Sequence, residues 1–137
     1  MVDVVIAAGA VICRDGDPTI TKKCQVAISG GQAVYEDLTN GGKFNLCDGD
    51  VAASARMVGI AVGDAAIGEY CTVARPGSVI TVAGASFTKG VTYYVSLNAG
   101  GLAPFADLGS GDYLTLACIA LSTTTALILG IITETTL

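Results

Sequence analysis

The chain has no histidine and no tryptophan, and only 14% of its 137 residues are charged, against about 25% in an ordinary soluble domain. Without histidine, the usual base that activates a serine or cysteine nucleophile is missing, and so is the commonest zinc ligand. Five cysteines, Cys13, Cys24, Cys47, Cys71 and Cys118, are odd in number and widely spaced, with no C-x-x-C pair. They read as small buried hydrophobes in a reducing cell rather than as a disulfide framework or a metal site. No apolar run approaches the roughly 18 residues a membrane-spanning helix needs, because the N-terminal stretch over residues 4–13 is about half that long and contains Gly9. Met1, Val2 and Asp3 lack the positive charge that opens a secretory signal. The expectation is a protein made in a cytoplasm, with no membrane partner.

Positive charge is scarce as well. Seven bases face twelve acids, for a net charge of −5. Through Ser29 the signs balance, and beyond it only Lys43, Arg56, Arg75 and Lys89 oppose the remaining carboxylates. No basic stripe exists to neutralise phosphates, which disfavours a nucleic-acid partner.

Motifs with chemistry are also missing. Gly84-Ala85-Ser86-Phe87-Thr88 starts like a nucleophile elbow but has Thr88 where a glycine is required. Lys89-Gly90 reverses the order of a phosphate loop, and Gly109-Ser110-Gly111 is followed by Leu114 in place of the third glycine of a dinucleotide fingerprint. Asp15-Gly16-Asp17 and Asp48-Gly49-Asp50 lack the ligand series of a calcium loop and read as turn acids. Glu36, Asp37 and Glu69 could in principle supply a glycosidase carboxylate pair, but the polar face of a strand explains them equally well. The reading is a non-enzyme without cofactor or metal.

Abundant instead are short, alternating, β-prone segments cut by glycine turns. In residues 91–97, Val91, Tyr93, Val95 and Leu97 fall on one face and Thr92, Tyr94 and Ser96 on the other. Similar strands are predicted over residues 25–28, 33–36, 43–46, 58–62, 70–74, 79–83, 113–121 and 126–132. Asn40-Gly41-Gly42 is a hairpin turn by composition, and Arg75-Pro76-Gly77 and Lys89-Gly90 punctuate later segments. One short helical turn is expected over residues 50–57, where alanines follow a capping Asp50. The fold class that follows is all-β: a small antiparallel barrel or sandwich over residues 29–137, with at most one short helix. Residues 1–28 are expected to form an extended N-terminal arm. Hydrophobic residues make up 52% of the chain, more than its polar residues can cover, so an oligomer or a component of a larger assembly is expected.

Ile28-Ser29-Gly30-Gly31-Gln32-Ala33-Val34-Tyr35, Gly42-Lys43-Phe44-Asn45-Leu46 and the acidic, alanine-rich stretch 48–55 occur in that order. Val58-Gly59-Ile60-Ala61, Lys89-Gly90-Val91-Thr92-Tyr93-Tyr94-Val95-Ser96 and Gly111-Asp112-Tyr113-Leu114-Thr115 follow. The succession, over about residues 28–132, resembles the small bacteriophage capsid decoration, or cement, proteins. The resemblance implies a virion structural protein on the outer surface of an icosahedral head, bound to the major capsid protein and grouped as homotrimers. In that setting Val4, Val5, Ile6, Val11 and Ile12 would contact coat protein or an adjacent subunit, the alternative being that they form an ordinary core strand. A host-recognition or carbohydrate-binding β module displayed on a phage is the competing function, and a small enzyme working with carboxylates alone is a third.

Overall fold

Short runs rich in β-branched and aromatic residues, many of them cut by glycine turns, favour strands too short to stand alone, and these pair into two antiparallel sheets. The computed structural model describes Asp3 and residues 11–137. In chain order the strands are β1 (Val11–Cys13), β2 (Thr19–Lys23), β3 (Ala33–Asp37), β4 (Lys43–Leu46), β5 (Gly59–Ala61) and β6 (Tyr70–Ala74). They continue with β7 (Val79–Val82), β8 (Thr92–Val95), β9 (Leu102–Pro104), β10 (Tyr113–Ala120) and β11 (Thr125–Thr136). One sheet has six strands in the order β1-β7-β11-β10-β8-β9, and the other has five in the order β2-β6-β5-β3-β4. The architecture is sandwich-like and all-β, not a closed barrel. An isolated parallel bridge from Cys24 to Phe44 nevertheless ties the end of β2 to β4 and curls the smaller sheet.

Residues 11–28 differ from the expected arm. β1 pairs with β7, Val11 opposite Val82, and β2 pairs with β6, Thr21 opposite Thr72, so this stretch contributes an edge strand to each sheet. Their partners lie some fifty residues or more away, where local sequence gives no hint of pairing. The predicted helical turn is also reduced. Only the single turn Ala55 N–H to Val51 carbonyl forms, at 3.0 Å, because Ala55 and Met57 are drawn into the core before a second turn can follow. Helical geometry among the described residues is confined to two 3₁₀ turns, Leu38–Asn40 and Phe105–Asp107. The first closes the β3–β4 hairpin: Asp37 accepts from Thr39 N–H at 3.2 Å, and Gly41 takes the left-handed conformation at φ 71°.

Two cores result. Between the sheets, Ile80, Val82, Val95, Leu102 and Ile128 of the larger sheet meet Ala33, Ile60 and Ala74 of the smaller, with Met57 and Phe87 contributed by loops. The smaller sheet buries its other face too: Val34, Phe44, Ala61, Cys71 and Val73 pack beneath Cys24 and Ile28 of the crossing segment. Residue 59 must be glycine because a Cβ there would lie 2.1 Å from the Ala74 carbonyl oxygen. All five cysteines are free, and Cys24, Cys47, Cys71 and Cys118 are buried as expected. Burial pushes the Cys71 and Cys118 thiols up to about 12.

Candidate docking surface

The site is built from strand parity. In the six-stranded sheet, Ile80, Tyr93, Cys118, Ala126 and Ile128 point into the core. Their neighbours in sequence therefore point outward, except Ala117, which a β-bulge turns into the same core beside Cys118. Register places these in rows. Val79 lies opposite Leu127, Leu127 opposite Ile119, and Ile119 opposite Thr92. A second row runs from Ile131 to Leu116 to Tyr94, whose partner Ala103 is itself buried. A third joins Ile12, Thr81 and Thr125. None of these residues is charged, so the outer face of this sheet is apolar and threonine-lined where a one-sided sheet would carry polar side chains. Phe105 extends it, meeting the Tyr94 ring edge-on at 5.8 Å and remaining 50% exposed. Ile131 is 49% exposed and Ile12 69%.

A groove of about 520 Å³ adjoins this sheet where β11 runs on past β7. Tyr35, Leu38, Ala53, Val58 and Ile132 give it an apolar lining, with Arg56 at the side in an ion pair with Glu134. Leu38 stands 82% exposed at its rim. The Asp37 carboxylate beside it is not free to bind a ligand. The hydroxyl of Thr39 at 2.7 Å and the amide of Asn40 at 2.8 Å donate to it and hold its pKa below the ordinary value.

The five residues predicted to touch a partner are separated by the structure. Val4, Val5 and Ile6 lie outside the described residues. Val11 is buried, 6% exposed, and belongs to the core between the sheets, so the core-strand alternative applies to it. Ile12 points the other way and lies on the outer face. Asp3 fastens to the β8–β9 turn, its carboxylate accepting from Ser96 Oγ at 2.8 Å and Asn98 Nδ2 at 3.1 Å.

The carboxylates considered for chemistry hold the fold. Lys22 donates to Glu36 at 2.8 Å across the mouth of the curled sheet, and Glu69 accepts from Ala66 N–H at 2.7 Å. Asp17 takes Arg14 Nη2 at 2.9 Å and Val79 N–H at 2.8 Å, and the Arg14 hydrogen bond leads in holding its pKa down. Among the described residues no three His, Cys, Asp or Glu side chains gather as metal ligands, and no helix is long and apolar enough to cross a membrane. Tyr93 and Tyr94 do point to opposite faces: Tyr93 is 4% exposed and its hydroxyl accepts from Thr88 N–H at 2.9 Å, whereas Tyr94 joins the outer rows.

The outer face was not anticipated from the sequence, although a signal existed. β10 and β11 read Tyr-Leu-Thr-Leu-Ala-Cys-Ile-Ala and Thr-Ala-Leu-Ile-Leu-Gly-Ile-Ile, apolar almost throughout, which is how strands covered on both faces are composed. No family model, no curated protein and no solved structure matches this chain.

Proposed function

We propose that this chain is a bacteriophage capsid decoration protein that binds the outer surface of the head and stabilises the coat lattice through many repeated contacts. The observation that carries the reading is the uncharged outer face of the six-stranded sheet, apolar surface beyond what the chain's own two cores use. Large apolar patches on soluble proteins mark partner surfaces. The ordered sequence phrases that resemble those of small decoration proteins suggest the kind of partner: the major capsid protein together with further copies of this chain. Physically, each copy contributes modest contacts, and their repetition over a shell yields avidity that no single contact provides. A protein that binds the mature lattice but not its precursor stabilises the mature form by linkage. Residues 4–6 with Ile12 are the contacts proposed for coat protein or a neighbouring subunit.

The test is stoichiometry. Particles purified from the source culture should contain this chain in copy number comparable with the major coat protein, as read by densitometry and mass spectrometry, and should lose thermal stability when it is stripped off. A few copies per particle would move it to a vertex, tail or fibre, and absence from particles would overturn the reading. The Tyr94–Phe105 pair, with Phe105 half exposed, is the feature favouring a carbohydrate-binding module instead. Saturable binding on a glycan array, lost on Phe105→Ala, would establish that alternative.

A further inference from the structure

We infer that Asn40, at the tip of the β3–β4 hairpin, is a self-modification site, where the backbone nitrogen of Gly41 displaces the side-chain amide and the tip acquires a carboxylate. The asparagines of the chain are Asn40, Asn45 and Asn98, and the structure sorts them. Attack on an asparagine Cγ by the next residue's backbone nitrogen needs that nitrogen uncrowded and the backbone around it free to turn. A following glycine supplies both, having no Cβ, and only Asn40 is followed by one. Asn40 and Gly41 are both exposed, Gly41 takes φ 71°, and a Cβ there would meet nothing within 4 Å outside its own chain neighbours. The backbone bond that closes the turn is donated by Gly42, to the Asp37 carbonyl at 2.9 Å. Asn98 is the comparison inside the molecule. It is exposed too, and its Nδ2 donates to Asp3 at 3.1 Å much as that of Asn40 donates to Asp37 at 2.8 Å, but its successor is Ala99, whose methyl stands beside the attacking nitrogen. Asn45 is half-buried in β4, followed by Leu46, whose pairing opposite Val34 fixes the backbone.

Water is the sole co-reactant. The Gly41 N–H bond and the Asn40 Cγ–Nδ2 bond break, a bond from Gly41 N to Cγ forms, and ammonia leaves with the displaced proton. Water then opens the cyclic imide: cleavage of the new bond gives aspartate, and cleavage of the original peptide bond gives isoaspartate, with the main chain routed through the former side chain. Either product adds one negative charge to the −5 of the chain. Water competes for the exposed Asn40–Asp37 hydrogen bond, so it does not lock the amide against attack. After the reaction a carboxylate stands where that donor was, and it donates nothing to Asp37 and repels it. The hydroxyl and N–H of Thr39 still hold Asp37, at 2.7 and 3.2 Å, so the tip loosens while the strands keep their pairing.

This inference stands apart from the decoration role, because it is read on the free protein. The full chain is held folded in mildly alkaline buffer and sampled over time. Anion-exchange chromatography should show a more acidic species accumulating, with ammonia released in equal amount. Peptide mapping should place the conversion at Asn40 on the order of ten-fold faster than at Asn98, a barrier difference of about 1.4 kcal/mol. Asn40→Gln keeps an amide at the tip but has to close a larger ring, so it should not form that species. Asn40→Asp, which installs the aspartate product directly, should speed amide hydrogen exchange at residues 39–42 and leave β5 and β6 protected. Conversion at Asn98 as fast as at Asn40, or an acidic species that forms equally fast in Asn40→Gln, would overturn the inference. So would a folded chain that gains no charge at Asn40 under conditions that convert its urea-unfolded form, and unchanged exchange in Asn40→Asp would overturn the loosening of the tip.

Discussion

The two sheets treat solvent differently. Where the five-stranded sheet meets water it presents Thr21 hydroxyl to Thr72 hydroxyl at 2.9 Å, Lys23 over the Tyr70 ring at 5.6 Å, and Lys43 opposite Asp37. Its apolar side chains are consumed by two cores, one on each face. The six-stranded sheet has one core, yet its outer rows are composed like an interior. Low overall charge is therefore not spread evenly over the molecule. It is concentrated on one sheet face, and an average over the sequence cannot reveal that.

The sharpest way to break this comparison is to substitute neighbours on β11. Ile128 points into the core and is 1% exposed, while Leu127 points outward. Ile128→Ala should cost about 2–5 kcal/mol, the range for a cavity in a packed core. Leu127→Ala should cost less, about 1–2 kcal/mol in the isolated chain, since Leu127 is only partly buried by its own fold and leaves no closed cavity. Urea melts at a concentration where the chain is monomeric measure both. Equal losses would mean that the outer face is not outer.

Next in size is the polar contact anchoring the larger sheet to the 51–55 turn. Thr115 is 1% exposed and donates its hydroxyl to the Ala55 carbonyl at 2.6 Å. Thr115→Val keeps the shape and removes one of two bonds to that carbonyl, which still accepts from Met57 N–H at 3.0 Å, so a loss of about 0.5–1.5 kcal/mol is expected in the same melts. Thr81→Val, exposed in the outer row, should change stability by no more than about 0.5 kcal/mol.

The fold was largely legible and the surface was not. β4 and β6 match their predicted ranges, residues 43–46 and 70–74, because each alternates and is bounded by turn residues. β2 escaped notice because Thr19–Lys23 holds a single strongly apolar residue, Ile20, and lies mostly exposed. β9 escaped because it is three residues long and ends in Pro104. Residues 25–28 alternate like a strand but are held by isolated bridges at Cys24 and Ile28, as a lid over the second core. Parity sorts side chains into two faces and does not say which face another element covers, so the exterior rows of β7, β10 and β11 needed the long-range register. Ile12 and Val11 are equally apolar, and the strand's alternation sends them to opposite faces, so apolarity alone does not tell a surface contact from a core residue.

The thiols sharpen the comparison without mutation. Cys118 lies in the core between the sheets and Cys24 with Cys71 in the second core, whereas Cys13 at the edge of the larger sheet is only partly buried. Under native conditions a thiol reagent should label Cys13 first and leave the other four protected. Brief labelling at rising urea, read by mass spectrometry, then reports whether Cys118 and the Cys24–Cys71 pair open together. Simultaneous opening means one cooperative unit, and earlier labelling of Cys24 and Cys71 means the curled sheet opens by itself.

The smallest expected effect is acid sensitivity, and it also differs between the sheets. Asp17 clamps β7 of the larger sheet through Val79 N–H, and Asp37 caps the β3–β4 turn of the smaller. Both carboxyls are held below their ordinary value of 3.8, Asp17 first by its Arg14 hydrogen bond and Asp37 first by Thr39. A folded pKa below the unfolded one gives stability that is present above the unfolded value and is lost as pH falls through the folded value. The loss should therefore begin near the ordinary carboxyl value and continue downward. Asp17→Asn and Asp37→Asn should each lower the melting temperature slightly at neutral pH and converge with the native chain in acid. Because both carboxylates are only partly buried and solvent screens them, the shifts will be small. If Asp37→Asn flattens the acid limb and Asp17→Asn does not, the smaller sheet sets the acid response; a native-like limb in both variants would assign it to other carboxylates.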